Sequence, residues 1–540
     1  MLRVTVPQIP GARVRARRGG SAWEVRADRL PDVQRLAVCS VASGSITALD
    51  LTVDRWRPPA PGWIGRPGLP GIRELAVEPK GSGVRLRVVL TEPADAALVV
   101  AAAVRCLRPV PTGDLGPLLT FAPGLPTAAS SLAGQVHDVL LADETRDAHV
   151  RRCDVLLVPD VDSDRWPERS STVHVSAGTW TRDGQAFDVD VDPTVHRPVG
   201  RRSAGATAVG AVTVAGSVVS ITAPGTRILV DGAVGAAEVT ALRGVGAVVS
   251  GDLSPAVVHQ LSACGVVVTN DAGSLPGDGD HLGWQTASVQ ARRHALRQYG
   301  PAAALDAWPT VSVVLVTHRP DHLEHAFRQV SRLRYPRLEI VVGAHGERVD
   351  AARVWELAQE VPHPVTVVTV DGQRTLGEAL QACSDRAEGA LVTKMDDDDH
   401  YGPEHVWDLV LARQFSGAQI VGKALDWVYL ESQDTTVFRP TYAAEKYADF
   451  VAGGTMLISR ADLAAVGGWR PVPRSVDRAL LDRVLADGGL VYRTHGLGYV
   501  YVRHSAGHTA SVRDEHFLTR TTATHPGLIR HAAFGTEVAS

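Results

Sequence analysis

Four short apolar runs, two of them followed by a stripe of apolar residues at helical spacing, limit what residues 309–400 can fold into. The runs are VSVVLV (311–316), LEIVVG (338–343), VTVVTV (365–370) and ALVTKM (390–395). Continuous β-branched stretches of this length suit strands covered on both faces. Leu323, Ala326, Phe327 and Val330 recur at helical spacing after the first run, and Leu376, Ala379, Leu380 and Cys383 after the third. Alternation of this kind predicts a mostly parallel sheet, whose ligands bind outside the carboxyl ends of the strands. Two polar segments fall at that edge: THRP (317–320) and DDDD (396–399).

Four adjacent carboxylates repel one another. A solvated acidic turn tolerates them, whereas a loop facing a cleft needs a compensating cation. Hard divalent ions such as Mg²⁺ and Mn²⁺ take carboxylate oxygens and bridge them to phosphates.

The rest of the chain reads as further domains, since 540 residues exceed what one core usually serves. Residues 1–112 are expected to form a β-rich, sandwich-like accessory domain: SITALDLTVD (45–54) and VRLRVVL (84–90) alternate as half-buried strands around a Pro/Gly-rich loop at 57–71. Its tryptophans suit either a core or a sugar-binding face. Residues 113–300 are expected to form a smaller α/β domain, with strands in CDVLLVPD, TRILVDG and GVGAVVSG. SPAVVHQLSACGVVVTND reads as helix, turn and strand, Gly265 ending the helix. No complete nucleotide fingerprint occurs there. The Pro/Ala-rich PAAALDAWP (301–309) marks the boundary to a third domain, 301–540.

The net charge of −4 gives no general attraction to nucleic acid. Of 55 basic residues only four are Lys. Five scattered cysteines without a CxxC pair fit a reducing compartment better than a disulfide framework. No secretory signal is visible at the N-terminus. The longest uncharged stretch, 203–226, is diluted by Gly, Ser, Thr and Pro and reads as strands and turns. A soluble, cytoplasmic protein is expected, with peripheral membrane contact left open.

Within 309–510, PTVSVVLVTHRP, YPRLEIVVG, LGEALQACSDRAEGALVTKMDDDDHYGPEH, AGGTMLISRADLAAVGGWR and SVDRALLDRVLADGG follow one another in the order and spacing of a family 2 glycosyltransferase. The region therefore resembles a GT-A fold catalytic domain. The resemblance implies transfer of a sugar from a nucleotide diphosphate sugar to a hydroxyl of a glycan, a lipid-linked or a small-molecule acceptor, with inversion and with Mn²⁺ or Mg²⁺ on the diphosphate. It implies that Thr317, His318 and Arg319 contact base and ribose. Asp396, Asp397 and Asp398 would form the Asp-x-Asp motif: Asp396 faces ribose and metal, Asp398 ligates the metal, and the register is open by one residue. Gly453 and Gly454 would let backbone approach donor and acceptor, or else form an ordinary turn before the strand TMLIS. Asp477 matches the catalytic base, although the Glu usual before it is replaced by Val476. As a plain helix residue, Asp477 would instead serve the dipole. His508, or else His504, would be an additional metal ligand.

GAHG (343–346) stands where relatives carry a base-reading Asp, so uridine is not implied. A catalytically inactive carbohydrate- or nucleotide-sugar-binding scaffold is the alternative reading. A nucleotidyltransferase would need a Gly-rich phosphate loop after the first strand, and VTHRPDH is not one.

Overall fold

The computed structural model describes residues 9–17, 21–39, 44–57, 72–108, 119–121, 139–141, 155–159, 172–176, 179–201, 208–306, 308–505 and 514–536. The chain divides into two compact units. One is 1–308 with the short segments 414–417 and 487–490; the other is 309–413, 418–486 and 491–540.

Among the described residues the first unit contains three sheets. Residues 12–95 supply a five-stranded sheet, and the helices Leu30–Cys39 and Ala96–Leu107 lie against each other. The strands Ala22–Ala27 and Ser45–Val53 pair in parallel, with Leu30–Cys39 between them in sequence. This layered α/β arrangement replaces the expected sandwich: Val33, Leu36 and Ala37 give the crossover helix a buried face. Trp23 is core, 1% exposed. In the second sheet the short strands Leu119–Phe121, Val139–Leu141, Val155–Pro159 and Thr172–Val175 are parallel. In the third, Val245–Val249 pairs in parallel with Val267–Thr269. Helix Pro255–Ala263 joins those two strands and is followed by Gly265 at φ +88°. No helix among the described residues is long and apolar enough to cross a membrane.

The second unit is built on an eight-stranded sheet. Strands β1 (Val311–Thr317), β2 (Leu338–His345), β3 (Val365–Val370) and β4 (Leu391–Met395) alternate with helices α1 (Leu323–Ser331), α2 (Ala351–Ala358) and α3 (Leu376–Ser384). The four strands are parallel, in the order β3-β2-β1-β4. After β5 (His400–Tyr401) the chain contributes β6 (Ile420–Lys423), β7 (Trp427–Leu430), β8 (Thr435–Phe438), β9 (Lys446–Tyr447), β10 (Leu457–Ser459), helix α4 (Val476–Ala486), β11 (Val491–Thr494), β12 (Tyr499–Arg503) and β13 (Ala523–Pro526). The large sheet continues past β4 as β10-β6-β11-β9, with β10 antiparallel to β4. A second sheet runs β5-β12-β7-β8-β13.

Packing explains the apolar runs. Val314, Val341 and Val392 on three neighbouring strands join Leu380 and Cys383 of α3, Trp469, and Leu480 and Val484 of α4 in one core. Burying each large aliphatic side chain there is worth roughly 1.5–3 kcal/mol. Helix α3 starts on a capping box, in which the Thr375 hydroxyl accepts from the Glu378 amide and the Glu378 carboxylate accepts from the Thr375 amide. Packing of α3 and α4 into this one core brings the end of β4 and the first turn of α4 to the same edge.

Candidate active site

The four aspartates leave β4 in four different directions. Asp396 turns back to Lys394 of the same strand, whose Nζ lies 2.5 Å from Asp396 Oδ1. Asp397 is 4% exposed. It accepts from the Thr317 hydroxyl at 2.5 Å and from the Arg319 guanidinium, Nε at 3.2 Å. Asp398 Oδ2 lies 2.8 Å from Arg319 Nη2 and 3.8 Å from His504 Nε2. Asp399 is buried; it accepts from the Tyr499 hydroxyl at 2.7 Å and the Val502 amide at 2.9 Å.

Electrostatics follow from this division. Burial alone would lower the hold of Lys394 on its proton, but Asp396 and Asp477 raise it above its ordinary value. Arg319 is held in the same way, against burial, by Asp397 and Asp398. Burial raises Asp398, and Asp396 adds to the rise while Arg319 opposes it. Burial also pushes Asp399 well up, with Asp398 and Asp396 adding and the Val502 amide and Tyr499 hydroxyl opposing. The compensating cations for the quartet are thus Arg319 and Lys394, from the chain itself.

Asp477 comes to this place from the first turn of α4. Its Oδ1 is 3.3 Å from Lys394 Nζ, so a single ammonium that is 5% exposed joins Asp396 and Asp477. The two carboxylate side chains are 36% and 30% exposed, within reach of a ligand. Burial raises Asp477, and Lys394 opposes the rise. Ser475, two residues before, is left-handed at φ +59°, a conformation unusual for a residue with a Cβ.

The Gly453–Gly454 turn makes room for the pair. A Cβ at Gly453 would lie 2.3 Å from Asp477 Oδ2, and one at Gly454 would lie 2.7 Å from Asp396 Oδ2. The groups these glycines admit are therefore the two carboxylates. Tyr401 pins the arrangement: its hydroxyl donates to Gly454 O at 2.9 Å and accepts from the Asp396 amide at 2.8 Å.

Thr317, Arg319, Asp396, Asp397, Asp398, Gly453, Gly454 and Asp477 are thus gathered at one edge. His318 stands just beyond β1, its ring edge-on to His345 at the end of β2, with centroids 6.5 Å apart. His504 is at the cluster, while His508 lies outside the described residues. Lys394, Tyr401 and Tyr499 escaped sequence reasoning. A lysine inside an otherwise apolar strand, in a chain with four lysines, is the signal that points to the first of them.

Among the described residues, no group of three or more His, Cys, Asp and Glu is assembled to hold a metal by itself. Asp398 and His504 offer one carboxylate oxygen and one imidazole nitrogen side by side. The carboxylate oxygen is the kind of donor Mn²⁺ or Mg²⁺ takes when phosphate oxygens complete the shell. Asp396 is turned to Lys394 rather than toward this pair.

A parallel β3-β2-β1-β4 sheet, extended past an acidic strand end by antiparallel and parallel strands, defines a GT-A glycosyltransferase fold. Residues 309–522 match the family model described as glycosyltransferase like family 2, so the C-terminal part of the chain is a family 2 glycosyltransferase domain, built on a fold of nucleotide-sugar-using enzymes. Among solved structures the chain is similar to S. aureus TarS 1–349 in complex with UDP-GlcNAc, at 14% identity over 38% of this chain and 63% of that one, TM-score 0.32. It is also similar to the mannosyltransferase PcManGT from Pyrobaculum calidifontis in complex with GDP-Man and Mn²⁺, at 17% identity over 37% and 58%, TM-score 0.30. The chain spans less than two thirds of the length of either protein. No curated protein matches it.

Proposed function

We propose that the chain transfers a glycosyl group, with inversion, from a nucleotide diphosphate sugar to an acceptor hydroxyl, and that Asp477 is the base. One observation carries this reading: Asp477, from a different element, meets Asp396 of the acidic quartet at the ammonium of Lys394. A proton acceptor and the donor-facing carboxylates thereby share one edge of the sheet.

In the reaction the acceptor oxygen bonds to the anomeric carbon as the carbon–oxygen bond to the diphosphate breaks. The electron pair of that bond leaves with the phosphate oxygen, and the acceptor proton passes to Asp477. The transition state has oxocarbenium character. Asp398 and His504 would hold Mn²⁺ or Mg²⁺, which when bound neutralises charge gathering on the departing diphosphate. Thr317 and Arg319 hold Asp397 in place, and Arg319 also holds Asp398. His318 and His345 border the edge where a nucleobase would lie.

We further propose that residues 1–112, 113–300 and 301–540 are three domains, the first two serving acceptor choice, assembly or support of the third, and that the reaction is cytoplasmic.

The test is a panel of UDP-, GDP-, dTDP-, ADP- and CDP-sugars incubated with the protein and Mn²⁺, reading release of the nucleoside diphosphate and the anomer of the freed sugar. Release of an inverted sugar from one donor, lost at least 100-fold in Asp477→Asn with Mn²⁺-dependent diphosphate binding kept, is the expected result. Binding without release from any donor would point to the inactive scaffold, and full activity of Asp477→Asn would remove the base.

A further inference from the structure

We propose that Lys394 is a positioning residue for the reaction. Its ammonium orients the Asp477 carboxylate so that Oδ1 is held and Oδ2 is left to take the acceptor proton. The inference rests on the reading of Asp477 as base.

Three observations carry it. Lys394 is 4% exposed, on a strand whose other residues are apolar apart from Thr393, so its buried charge depends on its carboxylate partners. Its Nζ meets carboxylates from two separate elements, Asp396 beyond β4 at 2.5 Å and Asp477 on α4 at 3.3 Å. The opposite side of Asp477 is bounded by Gly453: Oδ2 occupies space that any Cβ at position 453 would contest. The carboxylate is therefore ion-paired at Oδ1, which has no other polar partner, and lies against a glycine at Oδ2. An Asp at the start of a helix swings freely about its side-chain torsions; an ion pair to a strand-fixed lysine removes that freedom before the acceptor arrives.

The experiment uses the full chain with Mn²⁺ and the nucleotide sugar hydrolysed fastest in the panel, reading kcat, donor KM and the circular dichroism spectrum for Lys394→Met, Lys394→Gln and Lys394→Arg. Folded Lys394→Met is expected to lose 50-fold or more in kcat with donor KM changed less than about threefold. Combined with Asp477→Asn, it should add no loss beyond that of Asp477→Asn alone. Lys394→Arg, which keeps the charge, should exceed Lys394→Gln at least tenfold, and this ordering remains readable if the Met variant does not fold. Overturning results are a Lys394→Met enzyme with native kcat, a Gln variant equal to the Arg variant, or losses that multiply in the double variant. Full activity of Asp477→Asn would instead sink the base reading itself, which separates the two failures.

Discussion

The hydroxyl of Tyr499 donates to Asp399 Oδ2 at 2.7 Å, joining the last aspartate of the quartet to strand β12, one hundred residues further along the chain. With the Val502 amide on Oδ1, both Asp399 oxygens are occupied inside the protein. Asp399 therefore belongs to the framework of the cleft, and Asp396 and Asp398 to its surface.

Removal of Asp399 should accordingly be a stability defect. Asp399→Ala leaves a buried hydroxyl and a buried amide without an acceptor, each costing about 1–3 kcal/mol. Urea unfolding should show a loss of about 3 kcal/mol or more. A variant with unchanged midpoint and slope would show that the two donors find other partners.

Asp398 should behave in the opposite way. Asp398→Ala frees one Arg319 contact at a partly exposed position and should change the unfolding midpoint little. Calorimetric titration with UDP and GDP in Mn²⁺ should show at least tenfold weaker binding for this variant and a smaller loss for His504→Ala. Binding that is equal with and without Mn²⁺ in the native protein would contradict the metal pair.

A pH dependence of stability resides in Asp426. Burial pushes its carboxyl up to about 7, with Arg493 and the Gly496 amide opposing. An unfolded carboxyl titrates near 4. Between these values the folded protein binds more protons than the unfolded chain, so this contribution is complete below about pH 4 and is lost as pH rises through about 7. Each unit of difference corresponds to about 1.4 kcal/mol. Unfolding at pH 5, 6.5 and 8 should show the native protein declining by a few kcal/mol relative to Asp426→Asn. Parallel curves would refute the assignment.

Ser475 holds a left-handed backbone at φ +59° on an exposed surface. A non-glycine residue there costs about 1–2 kcal/mol, offset in part by glycine's greater freedom in the unfolded chain. Ser475→Gly should gain roughly 0.5–1 kcal/mol, and Ser475→Val should lose at least as much, both read from thermal unfolding.

The parallel half of the second unit was legible because strands covered on both faces need uninterrupted apolar runs, and 311–316, 338–343, 365–370 and 390–395 have them. The second half was not. Strands such as Lys446–Tyr447 and His400–Tyr401 are two residues long and exist only through their partners, Arg493 and Tyr492 for one, Val500 and Tyr499 for the other. Asp477 was found through its place in a motif, but its tie to Lys394 needs two elements to meet, which periodicity along one chain does not encode. The N-terminal region was misread for a related reason. Its strands alternate well, and the helix that makes two of them parallel announces itself only by Val33, Leu36 and Ala37.

The turn at Gly453–Gly454 has one more consequence. Both residues sit in backbone conformations open to any amino acid, so only the volume beside them forbids a side chain. One added methyl at Gly453 would press on the Asp477 carboxylate, and one at Gly454 on the Asp396 carboxylate and the Tyr401 hydroxyl alike. Conversion of such a transferase into a silent sugar-nucleotide receptor is thus a single-codon event, and this turn is where a chain that had lost its chemistry would carry the mark.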